Sequence, residues 1–207
     1  MMGFSFDKIK DLQIDILKEV GNIGAGHAAT ALSTMIQKQI DMNVPNVKLI
    51  PFSEIEDFLG GEDKVVVGIF LRVEGDIPGN MFFVMTVDSA KQLLKRMMGD
   101  AVSSDPEFSE IEFSALHEVG NILAGSYLSS LADFTNLKLY PTVPSMAIDM
   151  VGAIISFGLL QVSQISDVAI LINTTFLEGE HFIEGHFFLI PDPEAFDRLF
   201  SALGVPL

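Results

Sequence analysis

The sequence predicts an α+β fold: a pseudo-two-fold duplicated domain with an antiparallel sheet, helices packed on one face, and two equivalent long motif helices. Three observations support it. A sequence unit recurs after 99 residues, each copy starts with a long helical segment, and the later strands are joined by tight turns rather than by helices. The 207 residues, 49% of them hydrophobic, suit a single domain made of repeats of about 1–104 and 105–207.

The repeat is clearest at the start of each copy. LKEVGNIG at 17–24 returns as LHEVGNIL at 116–123. An ungapped alignment of 13–45 with 112–144 matches at 11 of 33 positions. Unrelated segments of that length would share only about two. The two copies are therefore expected to fold alike and to place equivalent residues at equivalent points.

Local patterns then predict the elements in order. For copy one they predict a helix over 7–35, a strand over 44–50, a short helix over 53–59, strands over 65–73 and 81–87, and a closing helix over 88–98. For copy two they predict a helix over 105–134, strands over 143–150, 153–160, 168–176 and 182–190, and a closing helix over 192–203. Ser53 and Glu56 form a predicted capping box, and Gly60 follows that short helix. The copies should thus differ at 153–160, where a strand replaces the short helix.

Composition excludes several classes of protein. The formal net charge of −16 disfavours nucleic-acid and anionic membrane partners. The absence of cysteine excludes disulfides, iron–sulfur clusters and thiolate zinc sites. The first residues lack the basic-then-apolar pattern of a signal peptide, and the longest apolar stretch, 150–162, is shorter than the ~20 residues of a spanning helix. We expect a soluble, cytoplasmic protein.

Each long helix carries a polar stripe. At about 100° per residue, Asp15, Glu19 and Asn22 point the same way, with Asp11 on the same face one turn earlier. The counterparts of the first three are Ser114, Glu118 and Asn121. The same wheel assigns the neighbouring apolar residues to the core: Ile9, Leu12, Ile16, Val20 and Ile23 in the first helix, and Phe108, Ile111, Ala115, Val119 and Ile122 in the second. The polar stripe should therefore border the buried face and point outward.

The stripe residues indicate chemistry that is incomplete without a partner. A glutamate can bind a cation, and an asparagine can donate and accept hydrogen bonds and so orient a water. Neither is a plausible nucleophile here. An exposed asparagine inside a helix contributes little to folding, so replacing Asn22 and Asn121 together by alanine should leave the melting temperature nearly unchanged. A solvated face kept since the duplication is the competing interpretation.

Both copies fit one longer pattern, [D/S]-x3-E-x2-N-x22-P, through Asp15, Glu19, Asn22 and Pro45 in the first and Ser114, Glu118, Asn121 and Pro144 in the second. This pattern resembles the signature of the CheC/CheX/FliY family of chemotaxis phosphatases, and the resemblance extends over essentially the whole chain. It implies an enzyme that hydrolyses the aspartyl phosphate of the response regulator CheY. By this resemblance, Glu19 and Glu118 would dock on the active-site lysine of CheY. Asn22 and Asn121 would position the attacking water.

The resemblance also implies partners and cofactors. CheY would carry the Mg²⁺, so no metal or cofactor is expected on this chain. Two stripes predict up to two phosphorylated CheY molecules per chain, on a monomer that needs no dimerisation for its symmetry. The deamidase CheD is expected as a second partner. Asp15 and Ser114 would tune docking, and Pro45 and Pro144 would set the start of a strand.

Other interpretations stay open. A non-catalytic module that binds a response regulator or a flagellar switch component is the main alternative, and a receptor-modifying hydrolase ranks lower because the sequence offers it no nucleophile. Gly21-x-x-Gly24-x-Gly26 lacks the order and the following Lys-Ser/Thr of a phosphate loop, so close helix packing is the better interpretation. The four histidines lack metal-ligand spacing. The sequence does not rank the two sites, give the rate without CheD, or locate the CheD surface.

Overall fold

The structure is a computed structural model that describes residues 11–103, 107–160, 168–178 and 181–205. Its elements are α1 (Asp11–Ile36), β1 (Asp41–Pro51), α2 (Ile55–Leu59), β2 (Val65–Gly75), β3 (Gly79–Thr86), α3 (Val87–Met98), α4 (Glu110–Thr135), β4 (Leu139–Pro141), β5 (Ser145–Met150), α5 (Val151–Leu160), β6 (Val168–Glu178), β7 (His181–Pro191) and α6 (Ala195–Ala202). Within these ranges no helix is both long enough and apolar enough to cross a membrane.

One antiparallel sheet joins all the strands, which confirms the predicted α+β class. The strand order is β1-β6-β7-β3-β2, and both β4 and β5 pair with the outer side of β2. With β5 included, the order is β1-β6-β7-β3-β2-β5. It is the same from both edges of the sheet when β1 corresponds to β5, β2 to β6 and β3 to β7. At the centre Phe82 pairs with Phe188, which is its own counterpart in the second copy. A pseudo-two-fold axis therefore passes between β3 and β7.

The two copies exchange their outer strands. The first strand of copy one, β1, pairs with β6 of copy two, and β5 of copy two pairs with β2 of copy one. Neither half therefore contains a complete sheet of its own. The division near residue 104 stays a prediction, since 104–106 lie outside the described residues.

Helices cover both faces of the sheet, so the prediction of helices on one face is wrong. The larger apolar core lies under α1, α3, α4 and α6. On the opposite face α2 and α5 form a second core through Ile55, Val151 and Ile155, which pack with sheet residues such as Phe188. The central strands explain this arrangement. Every residue from 66 to 71 and from 79 to 85 is buried, a pattern typical of strands covered on both sides.

The region 153–160 was predicted as a strand and is helix α5. A short apolar run fits a buried strand and a buried helix equally well, so periodicity alone could not decide. The helix lies close to β2 because Gly68 has no side chain: an added Cβ there would lie 2.7 Å from Ile154. With α5 equivalent to α2, the two copies share the order α-β-α-β-β-α. The short strand β4 is the only strand in the described ranges without a sequence prediction.

The predicted capping box at Ser53 and Glu56 is also absent. A 3-10 turn precedes α2, whose N-cap is Glu54, and no side chain caps that end. The predicted C-terminal glycine is confirmed. Gly60 has φ of 103°, a left-handed conformation that favours glycine at the end of a helix.

Buried polar side chains tie the start of each long helix to the end of a repeat. Glu112 accepts hydrogen bonds from the backbone N–H of Ser109 (2.7 Å) and from that of Ser103 (3.0 Å). The backbone and hydroxyl hydrogen bonds from Ser109 hold the pKa of Glu112 below its usual range. The equivalent residue Gln13 donates to the carbonyl oxygen of Val205 at 3.3 Å. Each long helix is thus anchored at its N-terminal end.

Candidate functional site

The two polar stripes lie on helices of equal length. Both α1 and α4 contain 26 residues, and their bounds differ by 99 at each end. Asp15 and Glu19 are exposed in α1, and Asn22 is half-buried. All three counterparts in α4 are exposed: Ser114, Glu118 and Asn121. The structure therefore brings each predicted set together on one outward helix face, as two separate stripes.

The buried face of each helix differs from the predicted one. Val20 and Val119 are buried as expected, but Leu12 is 60% exposed and Ile111 is 69% exposed. Ile23 is 40% exposed, Ile16, Phe108, Ala115 and Ile122 are partly buried, and Ile9 lies outside the described residues. The buried face of α1 is instead opposite the stripe and runs through these residues: Gln13, Leu17, Val20, Gly21, Gly24, Ala25, Ala28 and Leu32.

Small residues account for this difference. An added Cβ on Gly24 would lie 2.9 Å from the Tyr127 ring and 3.0 Å from its Cα, so α1 and α4 approach each other closely at this glycine. An added Cβ on Gly120 would overlap the side chain of Ile69, so α4 also lies close to the sheet there. A helical-wheel analysis based on large aliphatic residues does not detect a buried face that is formed by glycine and alanine. The predicted close helix packing is confirmed at Gly24 and is wrong at Gly26, which is exposed and has nothing within 4 Å of an added Cβ.

The glutamates of the stripes have no partner of opposite charge among the described residues. Neither Glu19 nor Glu118 forms a hydrogen bond or an ion pair within the part of the chain that the structure describes. Both side chains are exposed. A helix surface with an unpaired carboxylate can accept a lysine or arginine from another molecule without breaking an internal contact.

The two asparagines differ in their hydrogen bonds. The amide oxygen of Asn22 accepts from the backbone N–H of Val44 at 2.8 Å, and its Nδ2 donates to the carbonyl oxygen of Lys18 at 3.1 Å. Asn121 is exposed, and its amide forms no hydrogen bond to any residue in the described ranges. The amide of the first stripe is therefore held against the protein, and that of the second is free.

The two prolines of the pattern lie in segments that contact the motif helices. Pro45 lies inside β1, where the register against β6 shifts between Asn43 and Asn46, so the prediction that it sets a strand start is wrong. At this irregularity the N–H of Val44 bonds to Asn22 instead of to the sheet. Proline has no N–H to give to a ladder and is typical of such positions.

Pro144 fits the prediction better, since it directly precedes β5. It is buried, and its carbonyl oxygen accepts a hydrogen bond from Nε2 of His117 at 2.8 Å. His117 is the counterpart of Lys18, so each segment is tied to its motif helix through a different residue. Sequence reasoning did not predict the contacts of Val44 or His117, although Val44 and its counterpart Val143 match in the repeat alignment.

The stripe residues neither line the cavity beside β2 nor belong to a metal-binding group among the described residues. The residues described here contain no group of three or more His, Asp or Glu side chains that could hold a metal ion. A cavity of about 310 Å³ lies between β2, β5 and α5 and contains no stripe residue. The stripes themselves are exposed helix faces, which suit a macromolecular partner better than a small ligand.

Comparison with known proteins identifies a family and several relatives. Residues 12–49 and 111–148 match the CheC-like family, and each range contains one stripe and its proline. The chain is 48% identical over 206 residues to the CheY-P phosphatase CheC of Bacillus subtilis (strain 168), covering 98% of this chain and 99% of that protein. It is 32% identical over 133 residues to the flagellar motor switch phosphatase FliY of the same organism, covering 64% of this chain and 35% of FliY.

A solved structure also shares the fold. The crystal structure of FliY from Thermotoga maritima matches with a TM-score of 0.75, covering 95% of this chain and 98% of the FliY chain. The sequence identity of that match is 19%, so it shows the fold alone.

Proposed function

This chain belongs to the CheC-like family, and on that premise we propose that it is a phosphatase that hydrolyses the aspartyl phosphate of CheY. The relative from Bacillus subtilis, which matches along nearly its whole length, is a CheY-P phosphatase. The observation that carries the proposal is the duplicated stripe: an unpaired, exposed glutamate and an asparagine three residues later, on the outer face of each long helix.

The proposed reaction divides the chemistry between two proteins. CheY supplies the phosphorylated aspartate, the Mg²⁺ and a lysine. Water attacks phosphorus, the bond from phosphorus to the aspartate oxygen breaks, and inorganic phosphate leaves with the aspartate restored. Glu19 or Glu118 pairs with the lysine and fixes the register of the helix over the site. The ion pair gains strength where the docked helix excludes water.

The asparagine positions the water. Its amide accepts a hydrogen bond from the water through oxygen and donates through nitrogen, so it can hold the water oxygen in line with phosphorus. An amide does not act as a base at neutral pH. In-line phosphoryl transfer depends mainly on positioning and charge stabilisation, so a single oriented amide is sufficient as this chain's chemical contribution.

The hydrogen bonds of the two asparagines predict that the sites are unequal. Asn121 is free to reach into a docked partner. Asn22 must release the N–H of Val44 or keep its amide turned toward β1. Breaking such a bond costs about 1 kcal/mol, which corresponds to a several-fold loss of rate. We therefore expect the second site to provide most of the turnover. If Asn22 keeps its hydrogen bond to Val44, the first stripe would bind CheY without hydrolysing its phosphate. The non-catalytic binding function would then apply to that stripe.

The remaining partner assignments are part of the same proposal. Two stripes on opposite copies allow two CheY molecules per chain, and the chain needs no second copy to present them. CheD is the proposed second partner. Sedimentation of this chain alone and with CheD or phospho-CheY would measure these stoichiometries. A CheY:chain ratio that never exceeds one, or no association with CheD, would contradict them.

Phosphate release from Mg²⁺-loaded phospho-CheY tests the proposal. Catalytic amounts of the wild-type protein should accelerate release through many turnovers. In an Asn22→Ala background, where only the second stripe has its asparagine, Glu118→Ala should raise KM strongly. Asp133→Ala, which removes an exposed carboxylate farther along the same helix, should leave the kinetics of that background unchanged. Binding of phospho-CheY with release at its spontaneous rate would instead support the adaptor function.

A further inference from the structure

Each motif helix exposes a large aliphatic residue just before its polar stripe. Leu12 is 60% exposed and Ile111 is 69% exposed. They are equivalent positions, 99 residues apart. Neither belongs to the residues that form or pack against the two apolar cores. Folding therefore gives no reason for an aliphatic side chain at this position in both copies, where a charged residue would be better solvated.

The position of these residues ties them to the stripe. Leu12 lies three residues before Asp15, and Ile111 lies three residues before Ser114, so each is a helix neighbour of the first stripe residue. At 1.5 Å per residue, the distance along the helix axis from Leu12 to Asn22 is about 15 Å. A protein interface of ordinary size buries about 800 Å² on each partner. A partner that covers the stripe therefore also covers the aliphatic residue.

We propose that Leu12 and Ile111 are positioning residues that pack against an apolar patch of CheY beside its phosphorylation site. This inference rests on the proposed function. It assigns both residues to the same docking surface as the glutamates, where they are the most exposed large aliphatic side chains of their helices. Apolar contact at the edge of that surface adds affinity, while the glutamate and the lysine set the register.

Charge argues for this occupant against a second copy of the chain. Two copies that met through their stripes would place Asp15 and Glu19 opposite the same residues or opposite Glu118. Like charges across an interface are strongly unfavourable, and the chain already carries a net charge of −16. A partner with a lysine at the centre of its contact surface has the complementary charge.

Loss of the aliphatic residue and loss of the asparagine should change different kinetic constants. An apolar contact at the edge of the interface stabilises the bound substrate and the transition state equally. Its removal should raise KM by about tenfold and leave kcat within about twofold of its original value. Loss of the water-positioning amide should instead lower kcat.

The experiment uses Asn22→Ala as the parent, so that only the second stripe has its asparagine. Steady-state phosphate release from phospho-CheY is measured for the parent and for added Ile111→Ala, Ile111→Leu and Phe134→Ala. Phe134, 46% exposed, is the matched control, because it lies on the same helix and its counterpart Met35 is also exposed. We expect KM to rise with Ile111→Ala and to stay near the parent value with Ile111→Leu and Phe134→Ala.

Binding separates failure of this inference from failure of the proposed function. Affinity for CheY activated by beryllofluoride and Mg²⁺ is titrated for the same variants with Glu19→Ala added, so that the second stripe accounts for the measured binding. This titration requires no hydrolysis. If the wild-type protein does not accelerate phosphate release, the proposed phosphatase function fails, and the titration still tests the docking surface. Unchanged KM and affinity for Ile111→Ala would overturn the inference, as would a fall in kcat alone or an equal loss with Phe134→Ala.

Discussion

Replacing Asn22 by alanine should lower the melting temperature, whereas the same substitution at Asn121 should raise it slightly. The amide oxygen of Asn22 is the acceptor for the backbone N–H of Val44, a residue only 1% exposed. Without that acceptor the N–H is left unsatisfied, which costs about 1–3 kcal/mol. Alanine returns about 0.5 kcal/mol through its higher helix propensity. The net loss of unfolding free energy is therefore about 0.5–2.5 kcal/mol.

For a chain of this length each kcal/mol shifts the melting temperature by roughly 2–4 °C, so Asn22→Ala should melt about 5 °C below the wild type. Asn121 loses no hydrogen bond, and Asn121→Ala should melt about 1–2 °C higher. This prediction replaces the sequence expectation that the double substitution is nearly neutral. Far-UV circular dichroism during heating measures both changes.

The control is Asn22→Asp, which keeps an oxygen able to accept from Val44 but loses the donor to the Lys18 carbonyl oxygen, and it should be more stable than Asn22→Ala. Equal melting temperatures for Asn22→Ala and Asn121→Ala would refute the reasoning, since the bond to Val44 would then contribute nothing to folding. A large fall with Asn121→Ala would mean that the second asparagine is structural.

Three further predictions concern the glycines, Glu112 and the metal. Gly120→Ala should lower the melting temperature because its Cβ would overlap the side chain of Ile69. Gly21→Ala should raise it because alanine favours the helix and the nearest atom would lie 3.5 Å from its Cβ. Changes in the same direction would contradict this packing. Glu112→Gln should cost about 1–2 kcal/mol of unfolding free energy in urea titrations at neutral pH. Because the folded-state pKa of Glu112 is lowered, its contribution is present above the usual glutamate pKa and is lost as the pH falls through the folded-state value. The difference between Glu112→Gln and the wild type should thus shrink in acid, and a constant difference would argue against an ionised Glu112. EDTA should stop phosphate release without changing the melting temperature of this chain alone, and a shifted melt would indicate a metal on the chain.

The long helices and most strands were predictable because their signals are local. The repeat fixed the equivalence of α1 and α4, and alternating or continuous apolar runs with flanking turns indicated the strands. The outward direction of Glu19 and Glu118 followed from helical spacing alone. These features depend on the neighbouring sequence and little on tertiary contacts.

The errors come from long-range packing. The sequence predicts a strand at α5 because a short apolar run has no periodicity that distinguishes a buried strand from a buried helix. The position of α5 also depends on the absence of a side chain at Gly68. The buried face of α1 was misplaced because Gly24 packs against Tyr127, a contact across 103 residues. The bond between Asn22 and Val44 likewise depends on the irregular register of β1, which helical spacing cannot reveal.

The central claim is that asparagine-directed hydrolysis takes place at the stripes, and one measurement tests it most directly. Phosphate release from saturating Mg²⁺-phospho-CheY is compared for the wild type, the two single Asn→Ala variants and the double variant, with binding to beryllofluoride-activated CheY measured in parallel. We predict release at the spontaneous rate in the double variant with binding retained, and a larger loss for Asn121→Ala than for Asn22→Ala. Wild-type turnover by the folded double variant would contradict the account.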